Sequence, residues 1–238
     1  MSISVGPPPG TTFDPLYPDS DGEPVGETEY HFVATCRLYS ALALWYRLRN
    51  DVHVAGDMLL YYEEGNPSAV RGPGVMVSKG VRGKHFRRSF RTWEEGVVPT
   101  VIFEITSLKT RDEDEGPKPR LYASLGVREY FMFDPQGEYL RPCLQGFSLS
   151  AGQYKPMTPD ANGQVFSQEL GLRLLADGYL LRLVDPATGK PLPTEEEYAD
   201  EAAKARREAD AAHRQVEMLE AELERLRAGR PPSDAGNA

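Results

Sequence analysis

The feature that most constrains this chain is the run Val101-Ile102-Phe103-Glu104-Ile105, where a carboxylate stands inside a stretch that is apolar on both sides. A short run of this kind reads as a strand covered on both faces, and such a strand belongs in the middle of a sheet. An unpaired charge there is costly, so Glu104 calls for a buried partner or for a site that uses it. Tyr130-Phe131-Met132-Phe133 has the same two-faced apolarity and makes a second central strand. Between the two lie a polar loop over 110–116 and a short helix predicted over 119–125, with Lys118 at its mouth between Pro117 and Pro119.

Upstream, Cys36, Tyr39, Leu42, Ala43 and Tyr46 recur at helical spacing and predict a helix over 32–48, with Thr35 as a candidate cap. Val52–Val54, Met58–Tyr62 and Val75–Val77 read as short strands, and residues 137–184 as antiparallel strands joined by glycine turns at Ala151-Gly152, Asn162-Gly163 and Asp177-Gly178. The order predicts an α/β fold, a mixed sheet flanked by helices.

Charge divides the chain further. Residues 1–30 hold six acids and no base, and residues 193–238 hold twelve acids against seven bases, whereas 31–192 hold twenty bases against eighteen acids. The overall charge of -9 therefore belongs to the ends. With six prolines in the first 24 residues, the segment 1–28 reads as a Pro-rich acidic arm, mostly extended or disordered. The globular domain is expected over 29–192, a C-terminal helix over 193–228 and a disordered tail over 229–238. Thr194-Glu195-Glu196-Glu197 is a capping-box signature. After it, Ala202, Ala209, Val216 and Leu223 recur every seventh residue, with Tyr198, Ala205, Ala212, Leu219 and Leu226 offset by three. That repeat predicts a coiled coil and a homodimer formed through it; a single solvated helix is the alternative.

Other classes of chemistry lack their motifs. There is no phosphate-cradling glycine loop, no Gly-x-Ser-x-Gly and no His-Glu-x-x-His, and the four histidines are scattered. Cys36 and Cys143 have no metal-ligand spacing and read as reduced thiols. Neither a leader nor an apolar run of spanning length is evident, so a cytoplasmic protein without a membrane segment is expected. Any site should then be built on carboxylates, which suits Mg²⁺ or Mn²⁺.

A basic strip contains Lys79, Arg82, Lys84, Arg87, Arg88 and Arg91 with no acid among them, interleaved with Phe86 and Phe90. Such a strip on a near-neutral body predicts contact with DNA phosphates; a solvated loop partly neutralised by the acidic arm is the competing reading.

The residues Glu104-Ile105-Thr106-Ser107, Thr110-Arg111, Asp114, Gly116, Lys118, Leu121-Tyr122-Ala123, Gly126 through Tyr130, and Asp134-Pro135 together resemble the core of the Uma-two family of restriction endonucleases. The likeness extends to Tyr62 through Pro67, to Trp93-Glu94-Glu95-Gly96, to Pro142, Leu144, Gly146 and Phe147, and to the alanine-rich C-terminal helix. It implies a restriction-endonuclease-like fold, the PD-(D/E)XK type, and metal-assisted hydrolysis of DNA phosphodiesters. By the same resemblance Glu104 is the metal-binding acid and Lys118 the catalytic lysine, carried on the helix because Thr106 stands two residues after the Glu. The family's Asp follows a proline on the preceding strand, but here Pro73 is followed by Gly74. The resemblance therefore implies an endonuclease with a degenerate centre, for which Asp57, Glu64 or Asp114 could supply a substitute ligand. The alternative is a catalytically inactive DNA-binding or assembly protein that keeps the fold.

Overall fold

The computed structural model describes residues 8–20 and 28–228. Expectations for the rest of the arm and for the tail from 229 lie outside the described residues. The elements in chain order are α1 (Glu29–Trp45), β1 (Val52–Gly56), β2 (Leu60–Tyr61), β3 (Val70–Arg71), β4 (Val75–Lys79), β5 (Phe90–Arg91), α2 (Thr92–Glu95), β6 (Val101–Ile105), α3 (Arg111–Asp114), α4 (Pro117–Leu125), β7 (Glu129–Phe133), β8 (Leu144–Ser150), β9 (Gln153–Pro156), β10 (Val165–Ser167), β11 (Leu172–Asp177), β12 (Leu180–Val184) and α5 (Glu195–Ala228). One compact unit ends at Leu192, and α5 belongs to a second unit that begins at Pro193.

The main sheet has the order β1-β4-β6-β7-β8-β9, which puts the two doubly apolar runs side by side at its centre. β6 and β7 pair in parallel from Val101 with Glu129 to Ile105 with Phe133, and the sheet's other pairings are antiparallel. A parallel pair needs a crossover, and α3 and α4 are that crossover. Because strand side chains alternate, Val101, Phe103 and Ile105 join the core shared with α1 and the β10-β11-β12 sheet. Ile102 points the other way, into the core with Tyr122, Leu60 and Phe90, and Glu104 faces that same side.

Two helix starts differ from the sequence expectation. α1 begins at Glu29 because the Thr28 hydroxyl caps it, accepting from the His31 N–H at 3.3 Å. Thr35 is no cap; it sits inside the helix and donates to the His31 carbonyl at 2.9 Å. α4 begins at Pro117, so Lys118 lies in its first turn instead of at a mouth before it. Both prolines are tolerated there because first-turn N–H groups have no intrahelical acceptor to lose.

Part of the arm is docked without forming a helix or strand. Residues 8–20 pack on the core, and Tyr17 is buried edge-on to Tyr61 at 5.2 Å and against Trp93 at 5.0 Å between ring centroids. Its hydroxyl accepts from the Gly65 N–H at 2.5 Å, and the Tyr61 hydroxyl donates to the Pro18 carbonyl at 2.7 Å. The Gly10 N–H donates to Glu94 at 2.8 Å, while its carbonyl accepts from Arg88 N–H at 2.7 Å. Gly10 is needed at this point: its φ is +67°, and a Cβ would stand 2.5 Å from the Ser89 carbonyl oxygen. The arm docks because its aromatic and acidic side chains meet an aromatic and basic surface, and its prolines leave less chain entropy to lose on ordering.

Tyr17→Ala is expected to release the arm without unfolding the sheet. Hydrogen exchange should show lost protection at the Gly10 and Arg88 amides, with β6 and β7 unchanged; simultaneous loss in all four places would mean that arm and sheet open as one.

Candidate active site

At Glu104 the fold gathers three charged groups from three elements. The Lys118 ammonium lies between two carboxylates, 3.1 Å from Glu104 Oε2 and 2.7 Å from Asp114 Oδ1. The Tyr122 hydroxyl donates to Glu104 Oε1 at 2.9 Å, and the Thr106 hydroxyl donates to Asp114 Oδ2 at 2.6 Å. Every carboxylate oxygen of the pair thus accepts a hydrogen bond. The Tyr139 hydroxyl meets Thr106, and the Tyr130 hydroxyl holds the Asp114 carbonyl at 2.9 Å. Glu104, Asp114, Lys118 and Tyr122 are all buried.

Two negative groups facing one positive group leave one charge in excess, which a buried site tolerates poorly. Burial is the main force pushing the Glu104 carboxyl up to about 7, with the Asp114 charge adding to it and Lys118 and the Tyr122 hydrogen bond opposing. Burial works against the Lys118 ammonium, but its two carboxylate neighbours outweigh it and raise its pKa. The lysine stays charged, and Glu104 is the group whose proton affinity the site raises.

Continuing the β4–β6 register one step past Val75 and Phe103 sets Gly74 opposite Glu104. A Cβ on Gly74 would lie 3.2 Å from the Phe103 carbonyl oxygen and 3.3 Å from the Ile105 nitrogen, the two groups that flank Glu104. The position where a second acid would face Glu104 therefore carries no side chain and has its neighbouring backbone drawn close. Among the described residues no three His, Cys, Asp or Glu side chains converge. A divalent cation is a poor fit to this donor set, since the two carboxylates already hold an ammonium and two hydroxyls between them and nothing projects from Gly74.

Of the substitute acids, only Asp114 is brought to Glu104. Asp57 is exposed and is tied to Gly74 through its backbone, N–H to carbonyl at 3.0 Å. Glu64 lines a groove of about 660 Å³ with Trp93, Lys79 and Arg128, at the opposite end of β6. Sequence reasoning missed Tyr122, Tyr130 and Tyr139. One signal was present: Asp114, Lys118 and Tyr122 stand four residues apart, the spacing of one helix face, across the Gly116-Pro117 junction.

The basic strip does not form the expected phosphate track. Arg87 is buried on Glu95, Nε to Oε1 at 2.5 Å, with both side chains fully covered. Arg91 is buried beside Glu94 at 2.8 Å and Asp14 at 3.6 Å, with its guanidinium over the Tyr17 ring. Lys79 binds the carbonyl and carboxylate of Glu169. Arg88 pairs with Asp19 at 2.5 Å, and Lys84 donates to the Tyr46 carbonyl at 2.6 Å. Arg82, Lys84 and Arg88 remain exposed. The arm does neutralise part of the strip, as the competing reading has it, but half of these cations are interior or committed to acids of the core.

The family model described as Uma2, putative restriction endonuclease, matches residues 16–181. Among solved structures, one similar chain is a putative nuclease belonging to DUF820 from Anabaena variabilis ATCC 29413. The two are 11% identical with a TM-score of 0.46, over 63% of this chain and 80% of that one. No curated protein matches the sequence.

The Glu104 proton sets a pH dependence. Its folded-state pKa lies above the ordinary value of 4.5, so its contribution to stability is full below about 4.5 and is lost as pH rises towards 7. Lysine titration lies above this window and adds nothing to the change. Glu104→Gln should therefore gain on the parent protein between pH 5 and 8, by on the order of 3 kcal/mol, in urea unfolding. A difference that is flat with pH would show that Glu104 is ionised throughout.

Proposed function

Because the chain belongs to the Uma2 family of restriction-endonuclease-like proteins, we propose that it is a nuclease-fold protein whose DNA-cleaving centre is closed by its own lysine. Restriction-endonuclease-like proteins generally use divalent metals to hydrolyse DNA phosphodiesters. The family's substrate class supports DNA as the ligand, and on this reading the protein engages it in the cytoplasm without cutting it. The free thiols of Cys36 and Cys143 suit that location, and no helix among the described residues is long and apolar enough to cross a membrane.

The observation that carries the proposal is the Lys118 bridge between Glu104 and Asp114, opposite a glycine. A catalytic lysine must face the reacting phosphate, and a metal-binding acid must leave oxygen lone pairs to the ion. Here the two groups satisfy each other. Opening the bridge would leave buried charges without partners, at a cost of about 3–5 kcal/mol. Asp114 also supports a second reading, in which it replaces the missing acid and a cation displaces Lys118.

The purified protein is expected to leave supercoiled plasmid intact in Mg²⁺ or Mn²⁺. Gly74→Asp should gain Mn²⁺ binding by titration calorimetry once the strands part by a few tenths of an ångström, and Glu104→Ala in that background should remove it. Cleavage by the unmodified chain that disappears in both Glu104→Ala and Asp114→Ala would overturn the proposal in favour of the second reading.

DNA binding through the strip should be weakly salt-dependent. With only Arg82, Lys84 and Arg88 exposed, the slope of log K against log salt should be about -3 at most, and replacing Arg82 and Arg88 by Ala should flatten it by about 2. A slope near -5 in the parent protein would place phosphate contacts elsewhere.

A further inference from the structure

α5 carries an apolar stripe of heptad spacing whose larger members, Val216, Leu219 and Leu223, are each about half exposed, at 50, 53 and 51%. Its start is well defined: the Thr194 N–H donates to Glu197 Oε2 at 2.7 Å and the Glu197 N–H donates to Thr194 Oγ1 at 3.2 Å, a reciprocal cap. A 34-residue helix with mixed charge around such a stripe needs something to cover it. We propose that the cover is α5 of a second copy of this chain, parallel and in register.

The rows of residues beside the stripe decide the orientation. One row is Glu201, Glu208, Gln215 and Glu222; the row on the other side includes Arg206, His213 and Glu220. In a parallel, in-register pair each residue of the first row faces the residue five positions further along on the other copy. Glu201 then meets Arg206, Glu208 meets His213 and Gln215 meets Glu220. No like charges oppose one another in these contacts, and the first joins Glu to Arg. An antiparallel pair instead sets the acidic row against itself. A parallel pair slipped by one heptad brings Glu208 against Glu220, and it also places leucines opposite alanines. Among parallel arrangements only the in-register one stacks Val216, Leu219 and Leu223 on their own counterparts, so apolar packing fixes the register and charge the orientation.

Sedimentation equilibrium of the full chain tests this. A concentration-dependent dimer is expected, and Val216→Glu with Leu223→Glu should weaken it at least tenfold. Because these side chains are exposed in the single chain, circular dichroism should show the sheet unit intact. The triple variant Glu201→Gln, Glu208→Gln, Glu222→Gln separates the two orientations: it removes attraction from a parallel pair and repulsion from an antiparallel one. Several-fold weaker association supports the proposal. A monomer at all concentrations, a dimer indifferent to the Val216 and Leu223 changes, or unchanged or tighter association in the triple variant overturns it.

Discussion

The rest of the structure depends on an ammonium held between two carboxylates. Lys118 ties β6, through Glu104, to the α3–α4 crossover, through Asp114, and Tyr122 and Tyr130 close the remaining polar groups around it. A buried ion pair is weak evidence for stability, since desolvation consumes much of its attraction. Its effect is on specificity: any other register of the crossover between the two central parallel strands would leave at least one buried charge without a partner. The residue types that a hydrolytic site would use here also fasten the fold.

The same chemistry recurs along the basic strip. Glu95 takes Arg87, Glu94 and Asp14 share Arg91, and Glu169 takes both Lys79 and Arg128. A patch that is strongly positive in a linear count is close to neutral in space, because the acids that offset it come from the arm, from α2 and from the loop before β11. Among the cations of this strip, few are left uncommitted to acids of the chain itself.

These two cases mark what could be read in advance. The central strands, the crossover and the capped C-terminal helix follow from local apolar period and cap chemistry, so β6 coincides with the run around Glu104 and β7 begins one residue before the predicted strand. Glu104 declared itself because a charge inside a buried strand must be explained. Lys118 was legible as a residue but not as a geometry, because its partners lie on two other elements. Arg87 and Arg91 were misread for the same reason: nothing in Lys79–Arg91 reveals that Glu95 is buried against it or that the arm folds back. Charge pairing between elements leaves no apolar period to read, and among the pairs made by Lys118, Arg87 and Arg91 only Lys118–Asp114 and Arg91–Glu94 stand at helix-like spacing.

The arm's anchorage has a consequence for the order in which the molecule is made. Gly10 is held by Glu94, 84 residues further along, and Tyr17 by Tyr61, Gly65 and Trp93. When the arm leaves the ribosome its entire docking surface has yet to be translated, so it waits unplaced until α2 has emerged. Closing so long a loop yields little until its far end is already ordered. The arm is therefore synthesised before the surface it docks on and settles after it, completing what the later residues build.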